Sequence, residues 1–72
     1  MDEAPPVYKG VKIQPRPIEL QAGGWKADFT LIEDIESETI VRPYYGQRTF
    51  PTREDAISAA LESARREINK AH

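Results

Sequence analysis

Few side chains in this sequence are suited to catalysis or metal binding, and those few are scattered. The chain contains no cysteine, and its one histidine is the last residue, His72. A nucleophile needs a nearby base, and a zinc site needs thiolate or imidazole ligands at set spacings. The acidic residues between positions 33 and 38 lack the spacing of a calcium-binding loop. We therefore predict no catalytic residue, no metal site and no cofactor.

Basic residues interleaved with tyrosines are the second chemically distinctive group. Such a surface can neutralise phosphates and stack on bases, as nucleic-acid-binding sheets do. It can equally bind another protein, because aromatic and arginine side chains dominate interface energetics. A net charge of −2 gives no overall attraction to nucleic acid or to an anionic membrane. The candidate binding residues are Tyr8, Lys12, Arg16, Arg42, Tyr44, Tyr45 and Arg48.

The length and composition indicate one small domain. Seventy-two residues provide a single thin core. We predict a disordered lead-in over residues 1–6, which is acidic and contains prolines, and one α+β domain over residues 7–70. Apolar runs fall far short of the roughly 20 residues that span a bilayer. A small domain without cysteine is typical of a reducing compartment, which favours the cytoplasm.

Alternation of apolar and polar residues predicts an antiparallel sheet. The clearest strand covers residues 25–31 and has one buried and one solvated face. Its predicted core residues are Trp25, Ala27, Phe29 and Leu31, and its predicted solvent-facing residues are Lys26, Asp28 and Thr30. In this interpretation Asp28 and Lys26 form an ordinary exposed charge pair.

Other strands are predicted on either side of this one. A first strand covers residues 7–14, and Pro15 and Pro17 then require a bend or a sheet edge. A glycine-containing turn follows at residues 21–24. After an acidic hairpin loop at 33–38, a third strand covers residues 39–42 and is interrupted by Pro43 and Gly46. Residues 48–50 could form a very short fourth strand, a point that the sequence leaves open.

A C-terminal amphipathic helix is predicted from residue 53 to residue 70. Thr52 is a favourable N-cap, and Asp55 stands three residues later in the capping-box position. The apolar stripe comprises Ala56, Ile57, Ala60, Leu61, Ala64 and Ile68. We expect the alanine side of the stripe to let the helix approach the sheet closely. Ile57, Leu61 and Ile68 are expected to fill the remaining space between helix and sheet. One helix covers one sheet face, so the other face is expected to remain open.

The order strand-strand-strand-helix, with Ala59-Ala60-Leu61 in the last helix, is similar to the C-terminal part of a double-stranded RNA-binding domain. That family opens its last helix with phosphate-binding lysines, whereas the matching turn here carries Arg53-Glu54-Asp55. The chain more closely resembles short bacterial proteins of unassigned function. They share the motifs Tyr8-Lys9-Gly10, Gly23-Gly24-Trp25 and Phe50-Pro51-Thr52-Arg53-Glu54-Asp55-Ala56. This resemblance implies the same α+β fold and implies no activity.

We therefore predict a non-catalytic interaction module that uses an open sheet face or an edge strand. Its partner is another protein or a second copy of the chain. The alternative is a nucleic-acid-binding protein that uses the basic and aromatic residues of the sheet. An enzyme ranks third, and no interaction with a membrane is expected.

Overall fold

The structure is a computed structural model that describes residues 6–71, without the side chain of residue 71. Its elements are β1 (Val7–Tyr8), β2 (Val11–Glu19), β3 (Trp25–Ile35), β4 (Glu38–Tyr44), β5 (Thr49–Phe50) and α1 (Arg53–Ala71). Five antiparallel strands and one C-terminal helix confirm the predicted α+β fold class. His72 and residues 1–5 of the predicted disordered lead-in lie outside the described residues. The carbonyl of Pro6 accepts a hydrogen bond of 2.8 Å from the backbone N–H of Ile13.

The long strand β3 is the centre of the sheet. The strand order is β1-β2-β3-β4, and β5 pairs with the beginning of β3 on the same side as β4. The shortest dimension of the Cα trace is 16 Å, as expected for one sheet and one helix. The fourth strand that the sequence left open is therefore present as β5, at residues Thr49–Phe50.

Two tight hairpin turns correct the predicted strand boundaries. The prediction of one strand over residues 7–14 was wrong, because Lys9 and Gly10 turn the chain with φ values of 51° and 81°. Glu36 and Ser37 form the second two-residue turn, with φ values of 47° and 72°. Positive φ at both central residues matches the right-handed twist of the flanking strands. The acidic segment predicted as a loop therefore belongs mostly to paired strands.

The turn between β2 and β3 lies where it was predicted. The Gly23 N–H donates a hydrogen bond of 3.0 Å to the carbonyl of Leu20, and the Leu20 N–H donates one of 3.0 Å to the carbonyl of Gly24. The φ values of Gly23 and Gly24 are 99° and 89°. Residues other than glycine rarely adopt such values.

The prolines of β2 lie on a free strand edge. β1 pairs only with Val11 and Lys12, so within residues 6–71 the rest of β2 has no strand neighbour on that side. Ile13 directs its N–H to that side, because it donates to Pro6. Residues two apart in a strand direct their backbone groups the same way. The nitrogens of Pro15 and Pro17 therefore face the free edge, where no hydrogen bond of the sheet is lost.

The helix begins and packs largely as predicted. The Asp55 N–H donates to the Thr52 hydroxyl at 3.1 Å, which confirms the N-cap. A row of small residues four apart, Ala56, Ala60 and Ala64, is at most 1% exposed and lies directly against the sheet. This close approach leaves less space for large side chains than the sequence suggested.

The predicted packing of helix against sheet needs one correction. Ile68 is buried in the core, whereas Leu61 is only partly buried at its margin. Ile57 is half-exposed and stands outside the core cluster. The alanine row rather than the larger residues faces the centre of β2 and β3, because residues at intervals of four follow the side of the helix nearest the sheet. Trp25, expected in the core, is likewise half-buried at its edge.

Candidate binding surface

The sheet has one face under α1 and one face without a covering element in residues 6–71. Strand alternation and register assign each side chain to a face. We call the face away from α1 the outer face. Its strand residues are Val7 of β1; Lys12, Gln14, Arg16 and Ile18 of β2; Lys26, Asp28, Thr30, Ile32 and Asp34 of β3; Thr39, Val41 and Pro43 of β4; and Thr49 of β5.

Large apolar side chains are exposed on the outer face. Val7 is 60% exposed, Val41 57% and Ile18 39%, and Ile32 is half-buried between its neighbours. The register places Val7, Ile32 and Val41 in one row across the sheet, on either side of Lys12, whereas Ile18 lies six positions further along β2. Isolated apolar side chains at a surface are ordinary, so the row is the distinctive feature of this face. None of these four residues was among the candidate binding residues predicted from the sequence. The alternation of Thr39, Val41 and Pro43 was the signal that could have identified Val41.

Basic residues share the outer face with these apolar ones. Lys12 and Arg16 of β2 are exposed, and Lys26 of β3 is half-buried. The acidic residues of this face are Asp28, which is only 1% exposed, and Asp34, which lies at the far end of β3. The solvent-accessible charge near the middle of the outer face is therefore positive.

The middle of β3 is closed rather than solvated on this face, which corrects the sequence interpretation. Asp28 and Thr30 were predicted to face solvent, but they are 1% and 6% exposed. The connection between β4 and β5 approaches β3 at this point, and its Gly46 N–H donates a hydrogen bond of 2.7 Å to Asp28 Oδ1. The Nζ atom of Lys26 lies 3.8 Å from the same oxygen. Asp28 therefore holds the connection in place and is not part of an exposed charge pair.

The structure divides the predicted binding residues between the two sides of the sheet. Lys12 and Arg16 lie on the outer face. Tyr8, Arg42 and Tyr44 lie on the side of α1. Tyr45 and Arg48 belong to the connection that links β4 and β5, where Tyr45 is 68% exposed. These seven residues do not form one continuous surface.

The predicted binding residues on the side of α1 have partners within the chain. The Tyr8 hydroxyl and the Lys9 ammonium donate hydrogen bonds of 3.2 and 2.7 Å to Asn69 Oδ1 of α1. The ring of Tyr44 stacks on that of Phe29 at a centroid distance of 4.9 Å. These contacts attach β1 to the end of the helix and β4 to the core, so both tyrosines have a structural role.

The two arginines have contacts of their own. The Nη2 atom of Arg42 lies 3.9 Å from the Oε1 atom of Glu33. Both side chains of this ion pair are partly exposed. The guanidinium of Arg48 lies 5.6 Å from the ring centroid of Phe50, a distance suited to a cation–π contact. Both arginines border grooves beside α1, Arg42 at its C-terminal half and Arg48 next to β5.

The groove between β4 and the C-terminal half of α1 is the more apolar of the two. Val11, Ile40 and Tyr44 contribute to its walls, and Glu67 and Arg42 stand at its margin. It exists because α1 packs over β2, β3 and β5 and does not extend over β4. The free edge of β4 is therefore accessible both to solvent and to another chain.

The described part of the chain shows neither a metal-binding cluster nor a membrane-spanning helix. Within residues 6–71, no three histidine, cysteine, aspartate or glutamate residues are grouped so that they could hold a metal ion. In the same range, no helix has both the length and the apolar character needed to cross a membrane.

Comparisons with known proteins leave the family open. The chain matches no protein-family model, and it matches no curated protein or solved structure at a significant level. The likeness to short bacterial proteins and to double-stranded RNA-binding domains therefore stays a prediction from the sequence.

Proposed function

We propose that this protein is a non-catalytic interaction module that binds a protein partner through its outer face. The observation that carries this proposal is the exposure of Val7, Ile18 and Val41 on one face that no helix or strand of residues 6–71 covers. Burying an apolar side chain completely contributes about 1.5–3 kcal/mol, so covering these three would provide a useful driving force. The cysteine-free composition supports the cytoplasm as the place where it acts.

The charges of the outer face define the partner's chemistry. Lys12 lies within the row of Val7, Ile32 and Val41, and Lys26 lies opposite Ile18. Arg16 stands between these two places on β2, and the one acidic group nearby, Asp28, is buried. A complementary partner presents acidic side chains next to apolar ones. Such complementarity raises association rates and excludes like-charged competitors. We therefore propose an acidic, partly apolar protein segment as the ligand of this face.

Nucleic-acid binding is the second candidate, and the row of cations on the outer face supports it. Phosphates would be neutralised by the same lysine and arginine side chains. The positions of the tyrosines are evidence against nucleic-acid binding. Tyr8 and Tyr44 lie on the side of α1, away from these cations, and contact other residues of the chain. Tyr45 is the exposed exception.

The test is an affinity capture from an extract of the source cells, treated with nuclease, with two charge-matched variants. The outer-face variant is Arg16→Glu with Ile18→Glu. The control is Arg65→Glu with Ser58→Glu, which places the same change in charge on exposed positions of α1. Both variants should keep the fold, because all four side chains are exposed.

We expect the wild type and the control variant to capture an acidic protein that the outer-face variant does not capture. The purified partner should then bind the wild type directly. Retention of the same partner by the outer-face variant would contradict the proposal. A ligand that disappears on nuclease treatment, with binding to RNA or DNA oligonucleotides that weakens steeply with salt, would establish the second candidate instead.

A further inference from the structure

The two sheet edges that lack a neighbouring strand in the described part of the chain differ in their ability to pair with another strand. On β2 the backbone positions facing the free edge include Pro15 and Pro17, which offer carbonyl oxygens and no N–H donor. Pairing with an added strand needs donors and acceptors in alternation. The free edge of β2 is therefore closed to such pairing, and the edge of β4 is the one to consider.

The register shows which backbone groups β4 directs outward. The backbone N–H of Ile13 points away from β3, so the backbone groups of its two neighbours in β2 point toward β3. Those neighbours form hydrogen bonds with the β3 residues opposite them. The β3 residues between these, such as Leu31, direct their backbone groups to β4 instead. Leu31 is paired there with Arg42. In β4, Thr39 and Val41 consequently direct both backbone groups to the free edge. Pro43 follows with a carbonyl and no N–H.

This edge is complementary to itself in one antiparallel register. When Ile40 faces Ile40 of a second copy, Thr39 stands opposite the partner's Val41 and both residues can exchange backbone hydrogen bonds. On the side of α1, Glu38 stands directly opposite the partner's Arg42. Two-fold symmetry repeats each contact, as in other isologous interfaces.

Pro43 and the charges select this register over the next one. A shift that places Val41 opposite itself sets Pro43 against Thr39 and leaves the Thr39 carbonyl without a donor. In this shifted register Glu38 no longer faces the partner's Arg42, and the partner's Tyr44 lies opposite the Glu38 carboxylate instead. In the register centred on Ile40, Pro43 lies opposite the turn residue Ser37, beyond the paired segment.

We propose that a second copy of this chain pairs along β4, with the two-fold axis between the Ile40 residues, to form one continuous sheet. An axis perpendicular to the sheet keeps both α1 helices on one side and joins the two outer faces on the other. Ile40 lines the groove beside α1, so its contact with the partner's Ile40 extends the apolar core across the axis. Pairing through one strand of seven residues from each copy gives a small interface, and total interfaces below roughly 1,200 Å² are typical of transient association. We therefore expect this dimer to form at high micromolar concentration.

Disulfide cross-linking tests the register. Opposed residues that do not share hydrogen bonds in an antiparallel pair have Cα atoms about 4.5 Å apart, which is within the range of about 4.4–6.8 Å that a disulfide spans. The chain has no cysteine of its own. In a glutathione buffer, the Ile40→Cys variant should form a covalent dimer faster than Ser58→Cys, whose side chain is exposed on α1. Equal rates would overturn the proposal, and faster cross-linking of Val41→Cys would overturn the register.

Sedimentation equilibrium tests the pairing without an introduced bond. The wild type should approach twice the 8.2 kDa monomer mass at high concentration. Val41→Pro removes a donor from the free edge and reproduces on β4 the spacing of Pro15 and Pro17, so it should weaken the dimer at least tenfold. Val41→Thr keeps the N–H and should retain it. Circular dichroism establishes that both variants are folded, and a wild type that remains monomeric would reject the dimer.

A charge exchange tests the ion pair across the axis. Glu38→Arg and Arg42→Glu should each weaken self-association, because like charges then face each other. An equimolar mixture of the two variants should form a heterodimer, since each arginine of one chain then faces a glutamate of the other. Absence of a heterodimer would contradict the register. Binding at the outer face uses Arg16 and Ile18 of β2, so failure of the dimer leaves the proposed function standing, and the reverse also holds.

Discussion

The Asp28 carboxylate on the central strand accepts a hydrogen bond of 2.7 Å from the backbone N–H of Gly46. Gly46 belongs to the segment between β4 and β5, where the ladder along β3 is interrupted opposite Ala27. The carboxylate therefore satisfies a backbone group that the interrupted ladder leaves unpaired. This contact explains why an acidic side chain is buried on the face opposite α1.

Replacing Asp28 should loosen the segment between β4 and β5. The Asp28→Ala variant leaves the Gly46 N–H without its partner, which costs about 1–3 kcal/mol when the group stays buried. Urea unfolding measures the loss of stability, and faster amide exchange at Gly46 locates it. Asp28→Asn retains an acceptor oxygen and should cost less than Asp28→Ala. Equal stability of the Ala variant and the wild type would contradict the role assigned to this carboxylate.

Gly46 should not tolerate a side chain. A Cβ atom added there would lie 2.9 Å from the nitrogen of Ala27 and 3.0 Å from its carbonyl carbon and oxygen. These are backbone atoms of a central strand and cannot move away cheaply, so Gly46→Ala should cost about 1–3 kcal/mol, as overpacked sites do. Chemical-shift changes should centre on Ala27 and Asp28.

Gly23→Ala is the comparison for this effect. An added Cβ at Gly23 meets no atom within 4 Å, but φ there is 99°. Its cost therefore comes from backbone strain alone, and its shift changes should stay within the turn between β2 and β3. Identical patterns of shift change in the two variants would argue against the close approach at Gly46.

The alanine row of α1 should resist enlargement. Ala60 is 1% exposed and lies against the sheet, so Ala60→Leu has to push the helix away from β2 and β3. Overpacking of this kind costs about 1–3 kcal/mol. Ser58→Leu adds the same side chain at an exposed position of the same helix and serves as the control. Thermal unfolding of both variants measures the difference, and a stabilised Ala60→Leu protein would show that the row is not closely packed.

The prolines of β2 should protect its free edge. Replacing Pro15 and Pro17 together by threonine introduces N–H groups on the side of β2 that has no strand neighbour among residues 6–71. Unpaired edges of this kind recruit other strands, so the double variant should aggregate faster than the wild type. Light scattering over time at equal concentrations measures this. Arg16→Thr, which changes a residue between them without adding an edge donor, is the control, and equal aggregation rates would contradict the protective role.

Several elements could be predicted from the sequence because their causes are local. The alternation from Trp25 to Leu31 defines a strand with two faces, and the Thr52 side chain caps a helix three residues away. The row of alanines at intervals of four indicates close packing whatever lies opposite. Each of these features depends on residues within a few positions of one another.

The assignment of candidate binding residues to faces could not be made in this way. Alternation shows which residues of one strand lie on the same face. The turns and the register decide which residues of a neighbouring strand share that face. The two-residue turn at Lys9–Gly10 divides the predicted first strand into a hairpin, and Tyr8 consequently contacts Asn69 of the helix. The register of β4 places Arg42 and Tyr44 on the side of α1, away from Lys12 and Arg16.

The sequence by itself determined the fold class, the helix with its cap, and the central strand with its two faces. Only the tertiary structure decided that Asp28 is buried, because the Gly46 N–H that it binds is 18 positions away in the chain. It also decided that Val7, Ile18 and Val41 share the open face, since strand register brings together residues that are distant in sequence. Local chemistry selects secondary structure, whereas long-range pairing determines which side chains meet.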